Sequence, residues 1–325
     1  MSRLKGLQRK FQFNKDTGFG AGSNNQGDRL LNRDGTFNVK RTGLSILERI
    51  NPFHQLIMMS WPKFNTMILL VFVSLNLLFT GIYYCIGLEE LVGTTHSDPF
   101  SKFIEVFSFS AQTLTTVGYG RVSPVGNLAS LMASFEALLG LSGFALVTGL
   151  LYGRFSRPNA KLLSSENAII APYQDKTALM FRIANGRSNQ LIECEAIVLF
   201  NYVEKEKGER KFISLDLELP KVTALSLSWT IVHPIDEKSP LYGLNKEEII
   251  DMNAEIILMF KAFDDTYSQA IHTRLSYTAN ELVYGAKFLP MYKRSENGYA
   301  TLLELNKIGQ YQLVTLPDFK PLESI

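Results

Sequence analysis

Residues 98–120 read Asp98-Pro99-Phe100-Ser101-Lys102-Phe103-Ile104-Glu105-Val106-Phe107-Ser108-Phe109-Ser110-Ala111-Gln112-Thr113-Leu114-Thr115-Thr116-Val117-Gly118-Tyr119-Gly120. Asp98-Pro99 is an N-cap followed by a first-turn proline, so a helix is expected to begin there. Phe100 to about Leu114 is mostly apolar or small, with Phe103, Phe107 and Phe109 prominent. At 1.5 Å per residue this helix reaches roughly 22 Å, too short to cross a bilayer core of about 30 Å. After it, glycines at 118 and 120 let the backbone take conformations that turn consecutive carbonyls to one side.

Working outward, Phe64–Leu88 contains no charged residue, and Val122–Gly153 is interrupted only by Glu136. About 20 such residues span a bilayer as a helix, the form that satisfies every backbone group internally. The expected spans are therefore 64–88 and roughly Leu128–Phe155, with 98–114 a re-entrant helix between them. The whole chain of 325 residues is 46% hydrophobic and 20% charged, with net charge +2, which excludes a disordered or collagen-like chain. Two cysteines, Cys85 and Cys194, exclude a disulfide scaffold. The average conceals unlike parts. Residues 1–63 hold 11 Lys and Arg against 4 acids, 64–153 hold 2 against 5, and 154–325 hold 20 against 22.

Lys40, Arg41, Arg49 and Lys63 precede the first span, and Arg154, Arg157 and Lys161 follow the second. The connection carries Glu89, Glu90, Asp98 and Glu105 against Lys102 and Arg121. The positive-inside rule then puts both termini in the cytoplasm and the connection outside. After Pro158 the chain alternates apolar and polar residues. Leu191–Val203, Phe212–Val222 and Ala254–Phe263 read as strands, and some 165 residues of this kind suggest an all-β sandwich.

Two spans, a short helix between them and Thr116-Val117-Gly118-Tyr119-Gly120 at its end resemble the pore motif of potassium channels. The chemistry fits. The carbonyls of Thr116, Val117, Gly118 and Tyr119, with the Thr116 hydroxyl, can replace the water shell of K+ in successive rings. The C-terminal ends of the short helices would direct partial negative charge at a central cavity. One chain supplies a quarter of each ring, so a homotetramer is implied.

Three further segments make the resemblance specific. Arg33-Asp34-Gly35-Thr36-Phe37-Asn38-Val39, His233-Pro234-Ile235-Asp236-Glu237-Lys238-Ser239-Pro240-Leu241-Tyr242-Gly243 and Ser276-Tyr277-Thr278-Ala279-Asn280-Glu281-Leu282 resemble signatures of inward-rectifier potassium channels. Gly140–Leu150, with Arg154-Phe155-Ser156-Arg157-Pro158 after it, is similar to the prokaryotic branch, KirBac. The absence of cysteines flanking the filter fits that branch. The resemblance implies a two-transmembrane-helix pore followed by a cytoplasmic immunoglobulin-like β-sandwich. The implied divisions are an N-terminal segment (1–42), an interfacial slide-helix region (43–62), the pore domain (63–157) and the β domain (158–325). It also implies residence in the bacterial inner membrane, no cofactor besides permeant K+, and no nucleic-acid partner.

Residue by residue, Phe144, Thr148 and Tyr152 lie within about 80° of one helix face, and the resemblance turns that face to the pore. Tyr152 matches the bulky residue of the gate, or else it is an interfacial-belt tyrosine. Gly140 and Gly149 match proposed bending points. Phe144 stands where strong rectifiers carry an acid, so weak polyamine block is expected. Asn51-Pro52 starts a helix whose Phe53, Leu56, Ile57 and Trp61 form an apolar face; Pro62 argues for a break before the first span. Trp61, Lys63, Arg154, Arg157 and Lys161 would meet anionic or phosphoinositide headgroups at the inner leaflet, or serve as topology signals alone. Glu193 and Asp265 match carboxylates of a cytoplasmic pore, or are solvated strand residues.

Three positions depart from the family pattern. Gln112 replaces a pore-helix glutamate that braces the filter. Arg121 follows the filter directly and would repel cations unless paired with Glu89, Glu90, Asp98 or Glu105. Glu136, an acid within a span, is a functional candidate by default, or it bonds a pore-helix threonine such as Thr113. A channel is the leading reading. A membrane-anchored ligand sensor with a poorly conducting pore is the alternative, but an anchor needs neither the filter nor the short helix. An enzyme is weakest, since His54, His96, His233 and His272 show no metal spacing and no nucleophile or phosphate-loop motif occurs.

Overall fold

The computed structural model describes residues 29–39, 42–43, 51–95, 98–156, 161–204 and 208–317. Lys40, Arg41, Arg49, His96 and Arg157 lie outside the described residues. The chain forms two compact units, Thr42–Arg157 and, separately, Met1–Arg41 with Pro158–Ile325.

The first unit is helical. A short helix, Pro52–Met58, is capped by the Asn51 side chain, which accepts the His54 N–H at 3.1 Å. Met59 and Ser60 are extended, and the outer helix restarts at Trp61 with Pro62 in its first turn, running to Ile86. Proline's missing N–H costs nothing there, so the break expected from Pro62 is where the two helices part. The pore helix spans Pro99–Leu114, its Asp98 cap accepting the Ser101 N–H, and the inner helix spans Asn127–Phe155 without interruption. Both long helices are apolar enough to cross a membrane. Two short strands, β1 (Leu91–Val92) and β2 (Ser123–Pro124), pair antiparallel and close the loops on either side of the pore helix.

The second unit is a β-sandwich. One sheet joins β11 (Gln269–Thr278), β10 (Glu255–Asp264), β6 (Leu191–Glu204) and β7 (Glu209–Leu215), with β8 (Lys221–Ala224) also on β6. The other joins β12 (Leu282–Tyr284), β4 (Ala168–Tyr173), β5 (Lys176–Asn185) and β3 (Leu162–Ser164), with β9 (Ser228–Ile235) on β5. Their facing sides supply a shared core that includes Phe181, Ile231 and Trp229 from one sheet and Val198, Phe200 and Phe260 from the other. Trp229 meets Phe260 edge-on with ring centroids 6.5 Å apart.

The stretch 212–222 is a correction. It is two strands, not one: β7 pairs with Val198–Glu204 and β8 with Ile192–Glu195. The chain leaves the sheet after Leu215, where Glu218 N bonds the Val232 carbonyl (3.0 Å) and His233 Nδ1 bonds the Asp216 carbonyl (2.6 Å). It rejoins β6 at Pro220, which has no N–H to give but whose carbonyl accepts the Ala196 N–H (2.9 Å).

Strand β6 is apolar at Val198, Leu199 and Phe200 in succession because both faces are covered there. Leu199, Phe212 and Ile257 pack on Leu30 and Leu31 of the N-terminal segment. The buried Glu255 carboxylate holds that segment by accepting the N–H groups of Leu30 (2.9 Å) and Leu31 (3.2 Å). Arg210 Nη1, also buried, lies 3.9 Å from the same carboxylate and donates to Asn201 Oδ1. Two signature segments meet at this place. Arg33 Nε donates to Glu281 Oε1 (2.7 Å), Arg29 Nη1 does so at 3.1 Å, and the Ser276 hydroxyl donates to the Leu31 carbonyl. Burial pushes the Glu281 carboxyl up, but the Thr278 N–H and the two guanidinium groups outweigh it and hold it below the usual carboxylate range. Gly35, at φ +80, backs onto Arg274, whose carbonyl would lie 2.5 Å from an added Cβ.

The third signature is a turn built on His233. Its Nδ1 faces a carbonyl, so Nδ1 carries the proton and donates; its Nε2 then accepts from the Ser239 hydroxyl (2.7 Å), whose oxygen accepts the Leu241 N–H. The neutral ring satisfies every partner. Burial lowers the His233 pKa, against smaller opposing effects of the Asp216 carbonyl and Asp236. The sign follows: below about 6.5 the unfolded chain takes up a proton that the folded one refuses, so stability falls with pH there. Thermal unfolding of the full-length protein in detergent, measured on either side of that pH, will show the loss. His233→Gln, which has no such proton to gain, will flatten it.

Candidate functional site

The six residues after the pore helix carry an alternation of backbone hand. Thr116 has φ +59, Gly118 φ +55 and Gly120 φ +79. Left-handed residues at every second position between right-handed or extended ones turn successive carbonyls to the same side. Glycine reaches this region freely, whereas threonine is strained there. The N–H groups bond backward into the pore helix: Thr116 N to the Thr113 carbonyl (3.0 Å), Val117 N and Gly118 N both to the Gln112 carbonyl (2.9 and 3.3 Å). Gln112 therefore braces the filter through its main chain. Val117 and Tyr119 are exposed in the single chain.

Behind the filter lies a buried polar cluster joining all three membrane helices. Glu136 of the inner helix accepts the Tyr83 hydroxyl (2.7 Å) and the Ser110 hydroxyl (2.5 Å). Ser110 lies 3.1 Å from Asn76 Oδ1, and Thr80 donates to the Asn76 carbonyl. The expected partner of Glu136 was Thr113; Ser110, one turn earlier on the pore helix, takes that place. Tyr83 also packs edge-on to Phe109, with centroids 5.1 Å apart. Gly140 has a steric reason to be glycine. An added Cβ would sit 1.7 Å from the Leu114 carbonyl, so the end of the pore helix rests directly on the inner helix. Gly149 has open space around it.

Directly after the filter Arg121 is paired, with Glu105, and its Nη2 also donates to the Thr95 hydroxyl (3.1 Å). The neighbouring acids serve other ends. Glu90 accepts the Ala129 N–H at the start of the inner helix (3.1 Å), and Asp98 caps the pore helix. Toward the C-terminal end of the second long helix Phe144, Thr148 and Tyr152 are all exposed in the single chain, four residues apart on one face of an unbroken helix, with Thr148 Oγ1 bonded to the Phe144 carbonyl.

Arg154 departs from expectation. Its guanidinium donates to the carbonyls of Leu56 (2.5 Å), Ile57 (3.0 Å) and Met59 (2.6 Å), the orphan acceptors at the end of the Pro52–Met58 helix. It also stacks on the rings of Trp61 and Phe64, 4.6 and 4.4 Å from their centroids. Both terminal nitrogens of this side chain are thus committed to carbonyls in this conformation. Trp61, which also meets Phe155 at 5.0 Å, keeps an exposed edge, and Lys63 is exposed. In the β unit, Lys161 is exposed. Glu193 sits exposed with φ +50, beside the register shift of the β6–β10 ladder, and Asp265 occupies the adjoining β10–β11 turn. The Asp265 N–H donates to Gln190, and the buried Asp264 orders the turn by accepting the Thr266 N–H and the Asn189 amide.

Sequence reasoning did not select Asn76, Tyr83, Thr95, Ser110, Glu255 or Asp264. Asn76 alone carried a signal, as the one amide at the middle of an otherwise apolar span.

Comparison with known proteins agrees with this geometry. Residues 68–157 match the model of an ion-channel family, and residues 162–323 match that of the inward rectifier potassium channel C-terminal domain. The chain is 34% identical over 278 residues to the inward rectifier potassium channel Kirbac3.1 of Paramagnetospirillum magnetotacticum, covering 84% of this chain and 92% of that one. It is 26% identical over 299 residues to the ATP-sensitive inward rectifier potassium channel 12 of Gallus gallus, covering 84% and 69% of the two chains. The human protein of the same name is 28% identical over 262 residues, covering 74% and 60%. These relatives are channels, not enzymes. A two-helix pore unit carrying the filter, followed by a matched β-sandwich, places this chain in the prokaryotic inward-rectifier potassium channel family, whose members are tetrameric membrane proteins.

Proposed function

We propose that four copies of this chain enclose one axis and conduct K+ passively through rings formed by Thr116, Val117, Gly118 and Tyr119, with Gly120 ending the filter. The observation that carries this reading is the left-handed alternation at residues 116, 118 and 120, with the amides of 116–118 tied back to the pore helix. Barium-sensitive rubidium uptake into proteoliposomes tests it. Uptake absent under every lipid composition would favour a membrane-anchored sensor instead.

On the same reading the gate is the turn of Tyr152, where four rings close and dewet the path. Phe144 and Thr148 line the approach, and Gly149 permits bending. Phe144 offers no charge to hold a polyamine, so block by spermine is weak. Anionic lipid, phosphoinositides included, acts through exposed basic and aromatic groups at the inner leaflet: Trp61, Lys63 and Lys161, with Arg157 beside them in sequence. Arg154 acts indirectly, by holding the interfacial helix. Glu193 and Asp265 line the cytoplasmic path for cations. The protein resides in the bacterial inner membrane with both termini in the cytoplasm, and K+ is its permeant ligand and not a cofactor.

Two mutations test the parts. Tyr152→Ala removes the ring from the gate and raises rubidium flux; flux equal to wild type would remove Tyr152 from the gate. Glu136→Leu strands the Ser110 and Tyr83 hydroxyls in a buried site, and a buried donor left unsatisfied costs about 1–3 kcal/mol. The thermal midpoint of the K+-loaded tetramer will drop strongly, while Glu136→Gln, which still accepts a hydrogen bond, will lower it much less.

A further inference from the structure

Arg121 and Glu105 sit on opposite arms of the hairpin made by the pore helix and the filter. Glu105 lies mid-helix and Arg121 immediately beyond Gly120. The Glu105 side chain is 6% exposed and that of Arg121 is 61% exposed. Besides Arg121, the carboxylate accepts the Thr95 N–H (3.1 Å) and the Thr95 hydroxyl (2.9 Å), and Arg121 donates to that same hydroxyl. The main chain is fixed from the other side. Val92 pairs with Ser123, and Gly93, at φ +93, backs onto Arg121 so closely that an added Cβ would lie 1.8 Å from its carbonyl oxygen.

A wholly exposed ion pair contributes little. This one differs, because its acid is buried, so that losing the arginine removes a counter-charge where solvent screens least. The same pairing cancels a positive charge that would otherwise stand, four times over, at the exit of the cation path.

We infer that Glu105, helped by Thr95, is a positioning residue for conduction: it pins Arg121, neutralises it, and so fixes and discharges the outer end of the filter. This inference rests on the reading that residues 116–119 conduct K+. The sequence position is also unlike that of the missing brace at Gln112, since Glu105 grips the residue after the filter and stands nearly two helical turns from 112.

Single-channel conductance tests it, in bilayers at fixed K+ with ionic strength varied by N-methylglucamine chloride. Glu105→Gln keeps an acceptor for Thr95 and frees the Arg121 charge. Conductance at low ionic strength is expected to fall about threefold, and the deficit to close as salt shortens the screening length from roughly 30 Å to below 10 Å. The double variant E105Q/R121Q removes both charges and returns conductance toward wild type. A merely structural pair would damage both variants alike, without dependence on ionic strength. Low-salt conductance of E105Q equal to wild type, or a double variant no better than the single one, overturns the inference. Failure of the conduction reading shows separately, as absent barium-sensitive rubidium uptake in wild type. Protection of the detergent-solubilised tetramer against heat by added K+ then still tests the brace: E105Q is expected to weaken that protection, and unchanged protection overturns it.

Discussion

A row of carbonyls can face an ion only if the backbone that bears them is held from behind. Successive peptides in an ordinary strand point their oxygens to opposite sides. Residues 116–120 escape this by alternating hand, and one of the residues in the left-handed region is a threonine, at a cost of roughly 1–2 kcal/mol. Such a conformation persists only when its surroundings over-determine it. The Gln112 and Thr113 carbonyls are the immediate restraint, because each holds a filter N–H. Those carbonyls belong to the free C-terminal turn of the pore helix, whose orphan acceptors need donors. Helix end and filter therefore satisfy each other.

This arrangement moves the demand for rigidity onto the pore helix. Its C-terminus rests on Gly140 of the inner helix, where no side chain intervenes. A turn before that end, Ser110 ties it to Glu136 and so to Tyr83. Its start is capped by Asp98, and its middle is paired through Glu105 to the far side of the filter. A buried carboxylate between membrane helices is expensive unless its oxygens find donors. Two hydroxyls from two different helices supply them, so the cluster fixes the order of three helices instead of simply adding attraction.

Much of this was legible in the residues. The uncharged runs gave both spans to within a few residues, and Asp98-Pro99 marked the start of the pore helix at its true position. Glycines 118 and 120 announced two of the three left-handed residues. Thr116 did not, because a threonine carries no signal for positive φ; only its neighbours impose it. Glu136 was conspicuous as an acid in a span, but its partner depended on the rotation of the pore helix, and one turn separates Thr113 from Ser110. The strand at 212–222 misled because its apolar alternation runs on through Leu217 and Leu219, although the ladder ends at Leu215 and resumes only at Lys221. The docking of residues 29–37 on Glu255 and Glu281 was invisible locally, since it joins segments more than 220 positions apart.

Arg154 shows why a basic residue at a membrane edge cannot be assigned by composition alone. Charge and position made it a headgroup ligand, equivalent to Lys63 or Lys161. Its geometry depends instead on the planar fork of the guanidinium, which meets three carbonyls and two ring faces at once. A lysine has the same charge but neither the fork nor the stacking surface. The carbonyls it meets have no intrahelical donor because the helix ends at Met58 and the chain turns at Met59 and Ser60. The break imposed by Pro62 thus creates the acceptors, and the inner helix, two residues past Tyr152, supplies the donor. The end of the Pro52–Met58 helix and the end of the inner helix are completed by one side chain, so neither can move away from the other without leaving those acceptors unpaired.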